Sequence, residues 1–233
     1  MASIERPAGA GGFLRAALAQ MTDRRWLPPA LLFLVFLGGT NAVLALANPA
    51  EGERPGRLFA VAGIIRVAAL IWISVAALRI ATTSPRRPWM PDGALGLYLL
   101  LSLLSLGAAA LGAWLGAGLP ELQRILVTQI IGILLVAPLS VWDAAAAVER
   151  PLALNPVPRL RHLGIWLPPL LLWAALLVIP LAGLHAFSSM RLLELAREPA
   201  FWPLAAADAL LSTILVLLTL ALRVVAYRSV ARP

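Results

Sequence analysis

Residues 58–80 form an apolar run that is interrupted by a single charged residue, Arg66. A run of this length is about what an α-helix needs to cross the hydrocarbon core of a bilayer. Because a guanidinium stays protonated in proteins, we expect Arg66 to need an anionic partner or a water-filled niche. The run therefore predicts a membrane-spanning helix that carries a cation inside the membrane.

Other apolar runs of similar length show that this is not an isolated anchor. The sequence is 61% hydrophobic and 13% charged, and that charged share is about half the value usual for a soluble domain. No polar stretch between the runs is long enough to build a large soluble domain. We therefore predict an all-α, polytopic membrane bundle of six transmembrane helices. The predicted spans are residues 27–47, 58–80, 93–115, 122–145, 163–185 and 201–223.

The distribution of arginine predicts the orientation of this bundle. All 19 basic residues are arginine, and the net charge is +8. One side of the predicted topology holds only Arg54, Arg57, Arg124, Arg191 and Arg197, and the other side holds every remaining arginine except Arg66. By the positive-inside rule the richer side, with both termini, is cytoplasmic. Short connections then make the six helices three antiparallel hairpins.

This topology divides the chain into a membrane domain and two tails. Residues 1–25 are predicted as a cytoplasmic tail with a possible interfacial helix near residues 13–21, residues 26–226 as the six-helix transmembrane domain, and residues 227–233 as a second cytoplasmic tail. The composition is rich in Ala, Arg, Gly and Pro and has no Lys, which indicates a GC-rich bacterial genome. Since residues 1–25 lack a signal-peptide pattern, we expect a multi-pass protein of the bacterial inner membrane.

A short motif recurs at two entry points into the membrane. Residues 26–29 and residues 166–169 both read Trp-Leu-Pro-Pro. The recurrence favours an ancient repeat of a helical hairpin. Convergence explains it as well, because Trp favours the membrane interface and Pro is tolerated in the first turn of a helix.

Polar residues of four predicted spans share one depth. At about 1.5 Å per residue, Arg66 lies about 4–5 Å outside the midpoint of its span, and Asn41, Gln129 and Asp208 lie at similar heights. We expect Arg66 to pair with Asp208, with Asn41 and Gln129 satisfying the remaining hydrogen-bonding groups. Two interpretations stay open. The layer is either an outward-facing pocket that binds an anionic group at Arg66, or a closed structural ion pair.

A second set of charged residues, Arg79, Asp143 and Arg223, lies near the cytoplasmic ends of the spans. We expect a salt bridge at the inner rim of the bundle. A proton-relay role for Asp143 is the alternative.

Several kinds of chemistry find no support in the sequence. The chain has no cysteine, and its two histidines, His162 and His185, are predicted at opposite ends of the fifth span, where they cannot ligate one haem or one metal. P-loop, metalloprotease and serine-hydrolase motifs are missing. No dense basic block or aromatic platform indicates nucleic-acid binding. We therefore predict no cofactor, no metal site, no catalytic residue and no nucleic-acid partner.

Small residues in the third span predict a close helix contact. Gly112 and Gly116 form a Gly-x-x-x-Gly pattern, and Gly107 precedes them. Packing within this chain is the simpler interpretation. An interface with a partner membrane subunit through Gly107, Gly112 and Gly116 is the alternative, in addition to contact with the lipid bilayer.

These observations favour one class of function without naming a substrate. We expect transport or capture of a small anionic or zwitterionic solute or lipid at the polar layer of Asn41, Arg66, Gln129 and Asp208. A non-catalytic scaffold or assembly subunit is the first alternative. An enzyme that uses Asp143 or Asp208 as an acid or base is the second, and it has the weakest support because no further catalytic group is spaced to assist.

Overall fold

The protein is described by a computed structural model that covers residues 9–49, 54–149, 162–196 and 198–230. Within these residues, six helical segments are long and apolar enough to cross a membrane, which confirms the predicted number of spans. They are Arg24–Leu46, Arg57–Ala81, Gly93–Leu115, Gln123–Val148, Leu163–Glu194 and Phe201–Val230. The fifth and sixth segments run several residues past their predicted ends, and the sixth passes the expected domain boundary at residue 226.

The helices are numbered here in chain order. They are α1 (Gly9–Met21), α2 (Leu27–Leu46), α3 (Arg57–Ala81), α4 (Gly93–Leu115), α5 (Glu121–Val136), α6 (Ser140–Val148), α7 (Leu163–Trp173), α8 (Ile179–Glu194) and α9 (Phe201–Val230). Two spans combine two helices each. A 3-10 turn, Ala137–Leu139, joins α5 to α6, and a π-helical segment, Ala174–Val178, joins α7 to α8.

The two irregular segments lie next to prolines. Pro138 is inside the 3-10 turn, and Pro180 follows the π-helical segment. Proline has no N–H, so the regular helical hydrogen bond is missing at each position and its ring crowds the preceding turn. The helix relieves this locally by changing its hydrogen-bonding pattern instead of ending.

Helix α9 forms the centre of the bundle. It is buried along most of its length, whereas the other spans are mostly exposed on the outside of the chain. It packs against α1, α2, α3, α6, α7 and α8. Any polar residue on α9 is therefore inside the protein and needs a partner there, which is the situation of both Asp208 and Arg223.

Helix α1 packs against the bundle. Its residues Phe13, Ala17 and Gln20 are buried, and its neighbours are α7 and α9. The carbonyl of Ala10 accepts a hydrogen bond of 2.8 Å from the indole of Trp173. The apolar face of residues 13–21 is thus buried only in part, since Leu18 is 46% exposed. The location of α1 at the membrane interface stays a prediction.

The glycines of α4 lie against α5. A Cβ atom on Gly112 would be 2.8 Å from the Cα of Thr128, and one on Gly116 would be 3.2 Å from the side chain of Arg124. A Cβ on Gly107 would meet nothing within 4 Å. Gly112 and Gly116 are therefore used for packing within the chain, and an interface with a partner subunit stays a prediction.

We expect Gly112→Ala to lower the free energy of unfolding by about 1–2 kcal/mol, because the added methyl group must push apart two helix backbones while alanine regains some helix propensity. Gly107→Ala is the matched control and should be neutral or slightly stabilising. Thermal unfolding of both variants in the same detergent tests this. Equal melting temperatures for the two variants would contradict the close contact.

Candidate functional site

The carboxylate of Asp208 is the centre of a buried polar cluster. Its side chain is 0% exposed. Asn41 of α2 donates from Nδ2 to Oδ2 at 2.7 Å, and His185 of α8 lies with Nδ1 at 2.7 Å from Oδ1. The hydroxyl of Ser188, also on α8, donates to Oδ1. Three helices thus meet at one carboxylate, which we call the Asp208 cluster (Asn41, His185, Ser188, Asp208 and Ser212).

A close helix contact explains why Asn41 reaches Asp208. A Cβ atom on Gly38 would be only 2.8 Å from the Cβ of Ala209, so only the methyl group of Ala209 lies between α2 and α9 at this point. Asn41 is one turn further along α2, and Asp208 is next to Ala209. The glycine therefore brings the short amide side chain within hydrogen-bonding distance of the carboxylate.

The surrounding groups assign the proton on Nδ1 of His185. The hydroxyl of Ser212 donates to the backbone carbonyl of Asp208 at 2.7 Å, so its oxygen presents lone pairs to Nδ1 at 3.1 Å. The carboxylate of Asp208 is also an acceptor. With two acceptors beside it, Nδ1 carries the hydrogen. Nε2 makes no hydrogen bond with any residue that the structure describes, and it can contact a ligand.

Arg66 lies near this cluster without joining it. It is partly buried, on the face of α3 that also carries the buried residues Ala62, Ala69 and Ile73. Its charge attracts Asp208, but no ion pair within 4 Å and no hydrogen bond links Arg66 to any described residue. The predicted direct pair between Arg66 and Asp208 is therefore not formed. His185, Asn41 and Ser188 reach the carboxylate first, because α2 and α8 pack more closely against this part of α9.

The other members of the predicted layer divide between two places. The predicted contact of Asn41 with Asp208 is present. Gln129 lines a separate cavity of about 200 Å³ together with Thr128, Ser140 and Arg223. Residues at one depth along their own helices thus face different spaces, because depth says nothing about the direction in which a helix turns its side chains.

Sequence reasoning places the hydroxyl of Ser212 near the polar layer but misses His185 and Ser188. His185 was expected at the membrane interface because the fifth span was predicted to end there, but the helix continues for more than two turns to Glu194. The missing signal was available in the sequence: residues 186–194 contain neither Gly nor Pro to end a helix. Since His185 and Ser188 are three residues apart, they share one helix face that points at Asp208.

The predicted inner-rim group of Arg79, Asp143 and Arg223 separates into two pairs. Arg79, whose side chain is 1% exposed, donates to the backbone carbonyls of Ala147 at 2.9 Å, Met90 at 2.8 Å and Arg87 at 3.3 Å, and to the carboxylate of Asp92 at 2.7 Å. It makes no hydrogen bond and no ion pair within 4 Å with Asp143. Asp143 instead pairs with Arg223 at 3.2 Å.

The groups around Asp92 favour its ionised form. Partial burial opposes its ionisation, but hydrogen bonds from Arg79 and from the Ala94 amide, with the charges of Arg79 and Arg86, lower its pKa below the ordinary value. Arg86 lies 2.9 Å from its second oxygen. Asp92 is therefore a carboxylate at neutral pH that fixes two arginines and caps the start of α4.

A similar but smaller capping interaction lies at the start of the first span. Asp23 caps the 3-10 turn Arg24–Trp26, and its carboxylate accepts hydrogen bonds from the side chain and the amide of Arg25. These bonds lower the pKa of Asp23 to about 2. The carboxylate is exposed, so its contribution is confined to the local turn.

Neither cluster offers a recognisable metal site. Across the parts of the chain that the structure describes, no three His, Asp or Glu side chains come together. The Asp208 cluster can instead hold a proton, orient an imidazole and contact a polar group. Arg79, Arg86 and Asp92, which we call the Arg79 cluster, connect the segment between α3 and α4 to the end of α6. Their role is structural.

No protein-family model, no curated protein and no solved structure matches this chain. The proposals below therefore depend on the geometry of the described residues.

Proposed function

We propose that this chain is a bacterial inner-membrane protein that handles a small anionic or zwitterionic solute or lipid, as a transport or capture subunit, beside the Asp208 cluster. The observation that carries the proposal is Arg66. It is a partly buried guanidinium in a membrane-spanning helix that no described residue pairs with directly. Intramembrane cations are costly unless they are paired, hydrated or used to bind a ligand.

The chemistry of the cluster supports Arg66 as the ligand-binding group. The carboxylate of Asp208 already accepts hydrogen bonds from Asn41, His185 and Ser188. It is therefore a poor site for a further ligand, while the planar fork of Arg66 matches a carboxylate or phosphate in two-point geometry. Nε2 of His185 offers a second contact for a donor group, which suits a zwitterion.

The orientation of this site also belongs to the proposal. With both termini in the cytoplasm and three antiparallel hairpins, Arg66 and Asp208 lie in the outer half of the membrane. The support is the bias of arginine toward one side of the predicted topology. Consistent with it, contacts of Arg79 with Ala147 and of Arg228 with the carbonyl of Ala81 bring the ends of α3, α6 and α9 to one end of the bundle.

The proposal is tested by ligand-dependent thermal shift of the purified protein in detergent. Probes are inorganic phosphate, glutamate, glycine betaine and phosphatidylglycerol, which cover anions, zwitterions and a lipid head group. We expect at least one probe to raise the melting temperature of the wild type. Arg66→Ala should remove that shift, because it removes the cation that binds the anionic group.

Arg57→Ala is the matched control, since Arg57 is an exposed arginine at the start of the same helix. It should keep the ligand-dependent shift. If no probe stabilises the wild type, or if Arg66→Ala and Arg57→Ala respond alike, the binding proposal fails.

A scaffold without a ligand is the second candidate, and one observation favours it. The buried carboxylate of Asp208 is fully satisfied inside the chain, so the polar cluster can exist solely to fix the packing of α2, α8 and α9. This function predicts that Arg66→Met leaves assembly with partner subunits unchanged.

An enzyme acting through Asp208 and His185 has weaker support. Ser188 and Ser212 contact Oδ1 and Nδ1, not Nε2. A serine activated by the imidazole needs the opposite arrangement, with the hydroxyl at Nε2.

A further inference from the structure

We propose a second binding site, distinct from the Arg66 region, that takes a neutral amphiphile with an apolar chain and a hydrogen-bond-donating hydroxyl head, held by the carboxylate of Asp143. The site is a cavity of about 320 Å³ bounded by α3, α4, α6 and α9. This volume is at the lower end of the range found for small-molecule pockets.

The wall of the cavity is mostly apolar. Leu70 and Ile71 of α3 and Leu215 and Leu220 of α9 form its main surface. Val67 also lines it and is 40% exposed on the outside of the bundle. The cavity is therefore open past Val67 to the surface that faces lipid in a membrane-embedded chain, so an amphiphile dissolved in the bilayer can enter sideways.

Asp143, which lines the polar end of the cavity, carries an unsatisfied acceptor. Asp143 is 3% exposed, and its Oδ2 faces Nη1 of Arg223 at 3.2 Å. Its other oxygen, Oδ1, is buried and has no hydrogen-bond partner among the described residues. A buried polar atom without a partner costs about 1–3 kcal/mol, so such atoms are rare and call for a specific explanation.

The charges at this end select the kind of head group. Arg223 neutralises Asp143, so the pair has no net charge to attract an ion. Its guanidinium is also engaged with the hydroxyl of Tyr98 at 3.5 Å. What is missing is one donor directed at Oδ1. An alcohol supplies that donor after a small rotation of the Asp143 carboxylate brings Oδ1 to the cavity that the residue lines.

Bound water is the competing explanation, because a cavity of this size has room for several molecules and has polar groups at one end. Water and an alcohol differ in their apolar part. Only an amphiphile gains binding free energy from contact with the apolar wall. The gain is roughly 25 cal/mol for each Å² of apolar surface that is removed from a polar environment.

The test compares two matched probes, 1-decanol and its methyl ether 1-methoxydecane, on the delipidated full-length protein by native mass spectrometry. The ether has nearly the same apolar chain but cannot donate a hydrogen bond. We expect one molecule of 1-decanol to bind, with at least tenfold higher affinity than the ether. Asp143→Asn should reduce this preference at least fivefold, because a neutral amide is a weaker acceptor than a carboxylate.

Val67→Trp keeps the test decisive if Asp143→Asn fails to fold. Its larger side chain fills the cavity from a partly exposed position and should abolish 1-decanol binding. Ile64→Trp, one turn away on the same helix and outside this cavity, should leave binding unchanged. Three results would overturn the site: equal binding of alcohol and ether, no binding of either, or binding that survives Val67→Trp. Water would then be the hydrogen-bond donor to Oδ1. Arg66→Ala should still bind 1-decanol, so this result is independent of the proposal for Arg66.

Discussion

Replacing Arg79 by alanine is expected to lower the free energy of unfolding by about 3–5 kcal/mol, because four acceptors lose the hydrogen bonds of a buried guanidinium. The side chain is almost completely buried and donates to three backbone carbonyls and to Asp92. Its loss leaves these acceptors unpaired and the carboxylate of Asp92 short of a cation. Equilibrium unfolding in dodecyl maltoside, followed by circular dichroism, measures the effect.

Arg87→Ala is the appropriate control for this experiment. Arg87 is an exposed neighbour of the same cluster and contributes its backbone carbonyl, which the substitution retains. We expect a change below about 0.5 kcal/mol, as for other surface positions. Arg79→Lys should fall between the two, since an ammonium keeps the charge but cannot match the spread of the four acceptors. Similar stabilities of Arg79→Ala and Arg87→Ala would refute the structural role given to Arg79.

Replacing Asp208 by alanine is expected to lower the free energy of unfolding by about 2–4 kcal/mol. Three donors, from Asn41, His185 and Ser188, lose their acceptor, and Asn41 is buried. Hydrogen bonds between membrane helices contribute about 0.6 kcal/mol each on average, and unpaired buried groups add their own penalty. Asp208→Asn keeps one acceptor oxygen, so its free energy of unfolding should fall by about half as much.

Thr213→Val is the matched control on the same helix. The hydroxyl of Thr213 is buried but bonds only to the carbonyl of Ala209 within α9, so its removal breaks no contact between helices. We expect a loss below about 1 kcal/mol. Comparison of the three variants by unfolding in the same detergent decides the point. If Asp208→Ala is no less stable than Thr213→Val, the cluster does not hold α2, α8 and α9 together.

The interaction partners of Asp208 and Arg79 differ in how well the sequence predicts them. Asp208 was identified as a buried group in need of partners, and one of its predicted partners, Asn41, is correct. A salt bridge within the group Arg79, Asp143 and Arg223 is also predicted; the structure forms it between Asp143 and Arg223, and Arg79 pairs with Asp92 outside that group. Asp92 belongs to the connection that follows directly after α3, so the fixed chain path brings it to Arg79 more readily than a residue on a distant helix.

The sequence by itself determined the number of helices that are long and apolar enough to span a membrane, and the identity of the charged residues inside them. Both are local properties: about 20 apolar residues can cross a membrane whatever their neighbours are, and an ionisable side chain within such a run is costly in any arrangement. The tertiary structure alone decided which groups meet. The absent side chain of Gly38 places α2 against α9, and the continuation of α8 past His185 gives Asp208 an imidazole in place of Arg66. Such contacts depend on how each helix is rotated and how closely it approaches its neighbour, and hydrophobic length encodes neither.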